Sequence, residues 1–264
     1  MIEYNRFTLD NGLTVLVHED TATPMAVVNV LYDVGARDEH PEKTGFAHLF
    51  EHLMFGGSIN IADYDEPLQR AGGDNNAYTT NDLTNYYCQL PAQNIETAFW
   101  LESDRMLSLA FSEKSLSVQR KVVCEEFREH YINKPYGDVW KQMRELAYTV
   151  HPYKWMTIGK ELSHVENALI DDVKHFFFKH YRPINAILVV AGKVKTADIK
   201  QLAQKWFGPI PMGDKYIRCL PQEPVQDQAR RLTIEAAVPL DAFVKTWHMD
   251  ARLNKGYYTA DLIT

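Results

Sequence analysis

Alternating apolar and polar residues predict strands in the first part of the chain. The stretch FTLDNGLTVLVHED contains two alternating runs around Asp10-Asn11-Gly12, which is a strong signal for a β-hairpin. A third strand is predicted over MAVVNVLYDVG. The stretch NAYTTNDLTNYYCQLP predicts two strands joined by a turn at Asn81-Asp82, and NAILVVAGKV predicts a buried strand.

Helical spacing of apolar residues alternates with these strands along the chain. The stretch GFAHLFEHLMFGGS predicts a helix that ends at Gly56-Gly57, and YDEPLQRAGG predicts one that ends at Gly72-Gly73, because glycine often follows the last helical turn. Further helices are predicted over residues 92–107, 113–132 and 136–149 and over ALIDDVKHFFFKHY and TADIKQLAQKWFG. Pro135 separates two of them. Since strands and helices come in mixed order, the sequence predicts an α+β fold.

A change in composition after residue 208 predicts a domain boundary. Pro209, Pro211, Pro221 and Pro224 punctuate a polar stretch that is typical of a linker. We therefore expect a first domain over 1–212, a linker over 213–230 and the start of a truncated second domain over 231–264. In that last part RRLTIEAAV and DAFVKTWHMDARL predict strands, and GYYTADLIT predicts a helix without a C-cap. The apolar surface left uncovered by such a helix favours self-association, so a homodimer is a further expected partner.

Charge and cysteine content narrow the class of protein. The 264 residues carry a net charge of −7 with scattered Lys and Arg, which argues against a nucleic-acid or anionic-membrane partner. No apolar run approaches the length of a membrane span. Cys88, Cys124 and Cys219 form no CxxC pair and suit free thiols. We expect a bacterial cytoplasmic protein, unless an export signal lies outside the printed sequence.

Three polar residues in the predicted helix GFAHLFEHLMFGGS form a candidate metal site. His48, Glu51 and His52 share one helix face, because residues three and four apart are neighbours on an α-helix. Neutral imidazoles are ligands for zinc, and a catalytic zinc has three protein ligands and one open position. A carboxylate beside the metal takes the proton of the attacking water. The spacing predicts a metal bound by His48 and His52, with Glu51 as general base.

The same spacing also has a purely structural explanation. Two histidines four residues apart often form only the polar edge of a helix, and a five-residue pattern recurs by chance. The apolar surroundings favour the metal, because unpaired polar groups among such residues are costly. These neighbours are Phe46, Leu49, Phe50, Leu53, Met54 and Phe55.

A third ligand is expected from the stretch VQRKVVCEEFREHY, in which three glutamates compete. The apolar stripe of that predicted helix comprises Leu116, Val123 and Phe127. Glu126 lies at the margin of this stripe, whereas Glu125 points well away from it. Glu129 is a weaker competitor, and His130, one turn after Glu126, is a further candidate for the polar cluster.

The segment His48-Leu49-Phe50-Glu51-His52 has the inverted zinc-binding pattern of the inverzincins, and its surroundings resemble the pitrilysin, insulysin and mitochondrial processing peptidase family. The similar segments follow in family order as LDNGLTVLVHED, VGARDEHPEKTGFAHLFEHLMFGGS, GGDNNAYTTNDLTNYYCQLP, QRKVVCEEF and HPYKWMTIGKELSHVENALIDDVKHFFFKHYRPINAILVVAGKV. The resemblance covers essentially Met1 to Met212. It implies an α+β metallopeptidase domain with a mixed, largely antiparallel sheet, one zinc ion and a homologous second domain.

The resemblance also implies roles for single residues. The third zinc ligand would be Glu126, which ends a segment resembling ERxVVxEE. An edge strand containing Asn76, Ala77, Tyr78 and Thr79 would bind an extended peptide by backbone pairing, although a turn into an edge strand also explains these residues. The family's segment opens with Glu where this chain has Gln119. A carboxylate near the metal is thus replaced by a neutral amide, which bears on metal affinity.

The function implied by the resemblance is that of a zinc-dependent endopeptidase acting on peptides or unfolded segments. Its partners would be the peptide substrate and a second homologous domain or partner subunit. Two alternatives come from other classes: an inactive paralogue that serves as a scaffold, slightly favoured by Gln119, and a zinc hydrolase of small molecules, disfavoured by the long match. Because no Arg-Tyr pair of the second domain follows the linker, we expect this chain alone to bind zinc but to hydrolyse peptides poorly.

Overall fold

A six-stranded sheet organises residues 2–263, which are the residues described by the computed structural model. Its strands are β1 (Asn5–Thr8), β2 (Thr14–Glu19), β3 (Met25–Tyr32), β4 (Asp74–Thr79), β5 (Thr84–Pro91) and β6 (Ala186–Gly192). They lie in the order β1-β2-β6-β3-β5-β4, and β2 with β6 is the parallel pair in an otherwise antiparallel arrangement. The predicted α+β fold with a mixed, largely antiparallel sheet is confirmed.

The helices follow the predicted order with shorter ends. They are α1 (Phe46–Leu53), α2 (Asp65–Arg70), α3 (Ile95–Ser108), α4 (Glu113–Phe127), α5 (Val139–Ala147), α6 (Leu162–Glu166), α7 (Ile170–His180), α8 (Thr196–Trp206) and α9 (Lys255–Asp261). The helix predicted over 113–132 changes to a π-helical turn at Arg128–Ile132, and the short α6 was not predicted. Within residues 2–263, no helix has both the length and the apolar character needed to cross a bilayer.

The helices cover one face of the sheet, and the hydrophobic core lies between this face and the helices. Strand residues on that face are buried, as in the alternating patterns of β2, β3 and β6, while residues on the other face are half-buried. The helix α1 contacts β4 and β5, α3 contacts β3 and β5, and α8 contacts β2. Burial on one face only is expected for a sheet with a single layer of helices.

A buried ion pair fixes α3 behind the strand β5. The Arg105 guanidinium lies 2.6 Å from the Glu102 carboxylate, and both side chains are almost fully buried. It also lies over the rings of Tyr64 and Tyr86, at 4.5 and 4.4 Å from their centroids. The Tyr64 hydroxyl donates to Glu102. The buried charges are tolerated because each has several partners.

The chain between α8 and α9 differs from the prediction. Residues 211–254 form no helix or strand, so the strands predicted over RRLTIEAAV and DAFVKTWHMDARL are wrong. An alternating pattern becomes a strand only when another strand pairs with its backbone, and no strand of the described residues pairs with this segment. The predicted terminal helix forms as α9, and Thr264 lies outside the described residues. The division into domains at 212 and 230 stays a prediction.

Candidate metal centre

The start of α1 is fixed by two residues that precede it. Gly45 has a φ of +87°, and a Cβ at this position would lie 2.6 Å from the backbone oxygen of Ile158. The buried Glu39 carboxylate accepts hydrogen bonds from the backbone N–H groups of Gly45 and Ala47, at 2.9 and 2.8 Å. These groups have no partner inside the helix, so Glu39 acts as its N-terminal cap. Burial raises the pKa of Glu39 to about 8, against the effect of these hydrogen bonds.

The apolar face of α1 packs on α7. The ring of Phe50 is fully buried and stacks on Phe176 and Tyr181, with centroid distances of 5.3 and 5.0 Å. This packing turns the other face of α1, with His48 and His52, away from the core. The two imidazole rings lie edge to face, with centroids 4.8 Å apart. The histidines therefore converge as their spacing predicts.

The helix α4 brings a carboxylate to these imidazoles. Its first turn is capped by the Ser112 hydroxyl, which accepts from the backbone N–H of Ser115. The predicted apolar stripe of α4, formed by Leu116, Val123 and Phe127, is buried. Glu126 at its margin places Oε2 at 3.6 Å from His48 Nε2 and 3.4 Å from His52 Nε2.

The other candidates on this segment point elsewhere. The Glu125 side chain is 73% exposed and pairs with Arg128 at 2.6 Å. Glu129 and His130 lie in the π-helical turn after α4 and are exposed. Among the described residues, Glu126 is thus the carboxylate that meets both histidines, and His130 does not join the cluster.

The cluster of His48, His52 and Glu126 fits a zinc ion. Its three potential ligand atoms all lie within 4.8 Å of one another. Ligand atoms bound at ~2.1 Å around a tetrahedral zinc are about 3.4 Å apart, close to the two distances observed from Glu126. Two imidazoles and a carboxylate are also a known donor set of catalytic zinc sites.

The protonation of His48 suits a metal ligand. Burial, together with the charge of His52, lowers the pKa of His48 to about 4. The ring is therefore neutral at pH 7, which is the form that binds metal. Its buried Nδ1 has no hydrogen-bond partner in the described part of the chain. A metal at Nε2 would thus be the main polar contact of this imidazole.

Glu51 lies beside this cluster and has a different partner. Its Oε2 accepts a hydrogen bond of 2.6 Å from the Thr79 hydroxyl at the end of β4. Burial raises the pKa of Glu51, and the hydrogen bond from Thr79 acts in the opposite direction. A carboxylate close to the ligands, yet outside the ligand set, has the placement of a general base.

The residues predicted to bind substrate lie on β4, at the edge of the sheet. Asn76, Ala77, Tyr78 and Thr79 pair with β5 on one side, and no strand of the described residues pairs with the other side. Ala77 and Thr79 are half-buried, whereas Asn76 and Tyr78 are exposed. The predicted edge strand is therefore present. Binding of a peptide along it stays a prediction.

Gln119 is half-buried on α4, two turns before Glu126. The effect of an amide at this position on metal binding also stays a prediction.

Contacts that the sequence did not predict hold the turn between β4 and β5. The Arg144 guanidinium donates to Asn81 Oδ1 at 2.9 Å and to the backbone oxygen of Tyr153. The Tyr153 hydroxyl donates to Asp82 Oδ1 at 2.5 Å. The loop that contains Tyr153 therefore supports the end of the edge strand nearest to Glu51.

Comparison with known sequences adds to this geometry. Residues 14–160, more than half of the chain, match the family described as Insulinase (Peptidase family M16). Residues 168–264 match a second description, Peptidase M16 inactive domain. The chain is 34% identical over 237 residues to the zinc protease PqqE of Helicobacter pylori, covering 88% of this chain and 53% of PqqE. It is 28% identical over 209 residues to the mitochondrial-processing peptidase subunit beta of Saccharomyces cerevisiae, covering 78% and 45%.

A solved structure shares the fold over most of the chain. The crystal structure of a protease from Helicobacter pylori superposes with a TM-score of 0.79 at 33% identity, covering 86% of this chain and 55% of that one. The chain spans about half the length of the relatives it matches. With the fold, the HxxEH helix and the matched residues taken together, the chain belongs to peptidase family M16, the insulinase family.

Proposed function

We propose that the chain is the zinc-binding half of an endopeptidase that hydrolyses peptides or unfolded protein segments. The observation that carries this proposal is the convergence of His48, His52 and Glu126, with the Glu51 carboxylate beside them. The relative PqqE is named a zinc protease, which supports zinc as the ion. The cofactor we assign is therefore one zinc ion.

The side chains divide the chemical work between them. His48, His52 and Glu126 would hold the metal, which when bound supplies a Lewis acid that acidifies water and polarises a carbonyl. Glu51 engages Thr79 through Oε2, which leaves Oε1 to take the proton of the attacking water. The protonated Glu51 then gives this proton to the nitrogen of the leaving amine. One carboxylate thus acts as base and then as acid.

The edge strand β4 would align the substrate. An extended peptide that pairs with Asn76 and Ala77 would lie along the open side of β4, and backbone pairing of this kind tolerates many sequences. Tyr78 and Thr79 continue the strand towards Glu51. The scissile bond would therefore be presented beside the proposed metal site.

The complete active site would include residues outside this chain. Since the chain covers about half of its relatives, we infer that a second homologous domain or a partner subunit encloses the substrate and stabilises the developing oxyanion. One relative is itself named a subunit, which supports assembly with a partner chain. That partner would be a different subunit or a second copy of this chain.

We propose the cytoplasm as the compartment, because Cys88, Cys124 and Cys219 are free thiols.

The proposal is tested with Glu51→Gln and His48→Ala in the longest natural form of the protein. Glu51→Gln should retain zinc but lose peptide turnover by about 10²- to 10⁴-fold, because a proton acceptor is lost while the ligands remain. His48→Ala should lose both zinc and turnover. Zinc content by mass spectrometry and cleavage of a mixed peptide pool would be measured on the same preparations, with Glu125→Gln as control. Loss of zinc in Glu51→Gln would show that Glu51 is a ligand.

One observation favours a second function. Gln119 replaces the carboxylate that the resemblance leads us to expect, and an inactive scaffold subunit would tolerate that change. A wild-type protein that binds zinc and cleaves no peptide, alone or with its completing domain, would support this alternative.

A further inference from the structure

The side chain of Thr79 on β4 makes a hydrogen bond to Glu51 on the helix α1. Thr79 is the last residue of the strand, and its half-buried hydroxyl donates to Glu51 Oε2 at 2.6 Å. Among the described residues, it is the side chain that hydrogen-bonds this carboxylate. The contact links the edge strand directly to the proposed base.

A carboxylate on a flexible side chain needs such a contact to act as a base. Glu51 is half-buried on α1, and among the described residues its carboxylate accepts one side-chain hydrogen bond, from Thr79. A general base must lie within hydrogen-bond reach of the proton that it takes, and small displacements from the productive geometry cost much of the rate. The hydrogen bond from Thr79 to Oε2 limits the directions in which Oε1 can point.

The backbone of β4 does not provide this contact alone. The neighbouring Tyr78 points outward and is 48% exposed, so the alternation of the strand directs Thr79 towards α1. An apolar side chain at position 79 would remove the hydrogen bond of the hydroxyl, while the backbone of the edge strand and the weaker interaction of the Thr79 backbone N–H with Glu51 would remain. The roles of the strand and of the hydroxyl can therefore be separated.

We propose that Thr79 is a positioning residue that orients Glu51 through its hydroxyl and ties the base to the strand on which the substrate lies. This inference rests on the proposed peptidase function. The Thr79 side chain would affect kcat, whereas pairing of the substrate with the β4 backbone would determine KM.

The test uses Thr79→Val, Thr79→Ser and the matched control Thr8→Val in the longest natural form of the protein. Thr8 is the last residue of β1, the strand at the opposite edge of the sheet, and it is exposed. Thr79→Val should bind zinc like the wild type and lower kcat about 10- to 100-fold with KM unchanged, as expected for a lost partner next to a metal site. Thr79→Ser should restore kcat, and Thr8→Val should leave kcat unchanged. Thr79→Ala serves in place of Thr79→Val if the valine variant does not fold.

Crystal structures of wild type and Thr79→Val give a readout that does not depend on turnover. We expect the Glu51 carboxylate to leave its wild-type position in the variant, with α1 and β4 unchanged. A Glu51 side chain in the same place, an unchanged kcat in Thr79→Val, or a Thr79→Ser variant as slow as Thr79→Val would overturn the inference. A wild-type protein no more active than Glu51→Gln would instead overturn the proposed function, and the position of Glu51 in the two structures would then decide the inference.

Discussion

Replacing Phe50 by Ala tests which contacts hold the helix α1 in place. Phe50 lies between Leu49 and Glu51 on α1, and its ring stacks on Phe176 and Tyr181 of the neighbouring segment. Truncation of this ring removes the contact that turns His48 and His52 outward. We expect the variant to lose both stability and zinc affinity.

The magnitude follows from burial and packing. Phe50 is fully buried, and truncation of a buried Phe to Ala costs about 3–5 kcal/mol. The rings of Phe176, Phe177 and Tyr181 surround it, with centroids at 5.3, 6.2 and 5.0 Å from that of Phe50. These packed rings leave little room for the neighbouring side chains to fill the cavity. We therefore expect a loss of about 4 kcal/mol in the free energy of unfolding. For a domain of this size, that lowers Tm by about 8–16 °C.

Urea unfolding followed by circular dichroism, with and without zinc, measures this loss. The matched control is Phe243→Ala, since this ring is 83% exposed and its truncation should change the free energy by less than about 0.5 kcal/mol. A loss below about 1.5 kcal/mol for Phe50→Ala would refute the role of the stacked rings as the support of α1.

Two further predictions concern the ligands and the cap of α1. Glu126→Gln should weaken zinc binding by more than about tenfold in calorimetric titrations, while Glu125→Gln should not change it, and equal effects would refute the choice of ligand. The pKa of Glu39 rises from 4.5 to about 8 on folding, so the folded state binds this proton more tightly. The unfolding free energy of the wild type relative to Glu39→Gln should therefore fall as pH rises from about 4.5 to about 8, and a constant difference in urea titrations would contradict it.

Local patterns predicted most elements and the core of the site. His48, Glu51 and His52 lie within one and a half turns of a helix, so their common face follows from helical spacing alone. The choice of Glu126 followed from the family resemblance together with the apolar stripe of α4, because the side of a helix that is buried determines which of its polar residues face inward.

The errors concern pairing between distant segments. The strand β6 lies between β2 and β3 although more than 150 residues separate it from either, and no local pattern encodes this position. For the same reason, the alternation near residue 240 predicted strands that do not form. A period of two identifies a segment able to pair, whereas the partner depends on the whole fold.

The hydrogen bonds that position α1 and Glu51 could not be predicted from the sequence either. Glu39 caps α1 from a separate turn, and Thr79 reaches Glu51 from a strand 28 positions further along the chain. The resemblance implied a role in substrate binding for Thr79, whereas the structure shows a side-chain contact to Glu51. Such hydrogen bonds depend on side-chain directions that only the packed helix and sheet define.

Anomalous X-ray diffraction at the zinc edge, from crystals of the protein grown with zinc near neutral pH, locates the metal without reference to activity. We expect one strong peak, in bonding contact with His48, His52 and Glu126, with Glu51 beside it and not bound to it. A peak bound through Glu125 or Glu129, or the absence of a peak at the two histidines, would contradict this expectation.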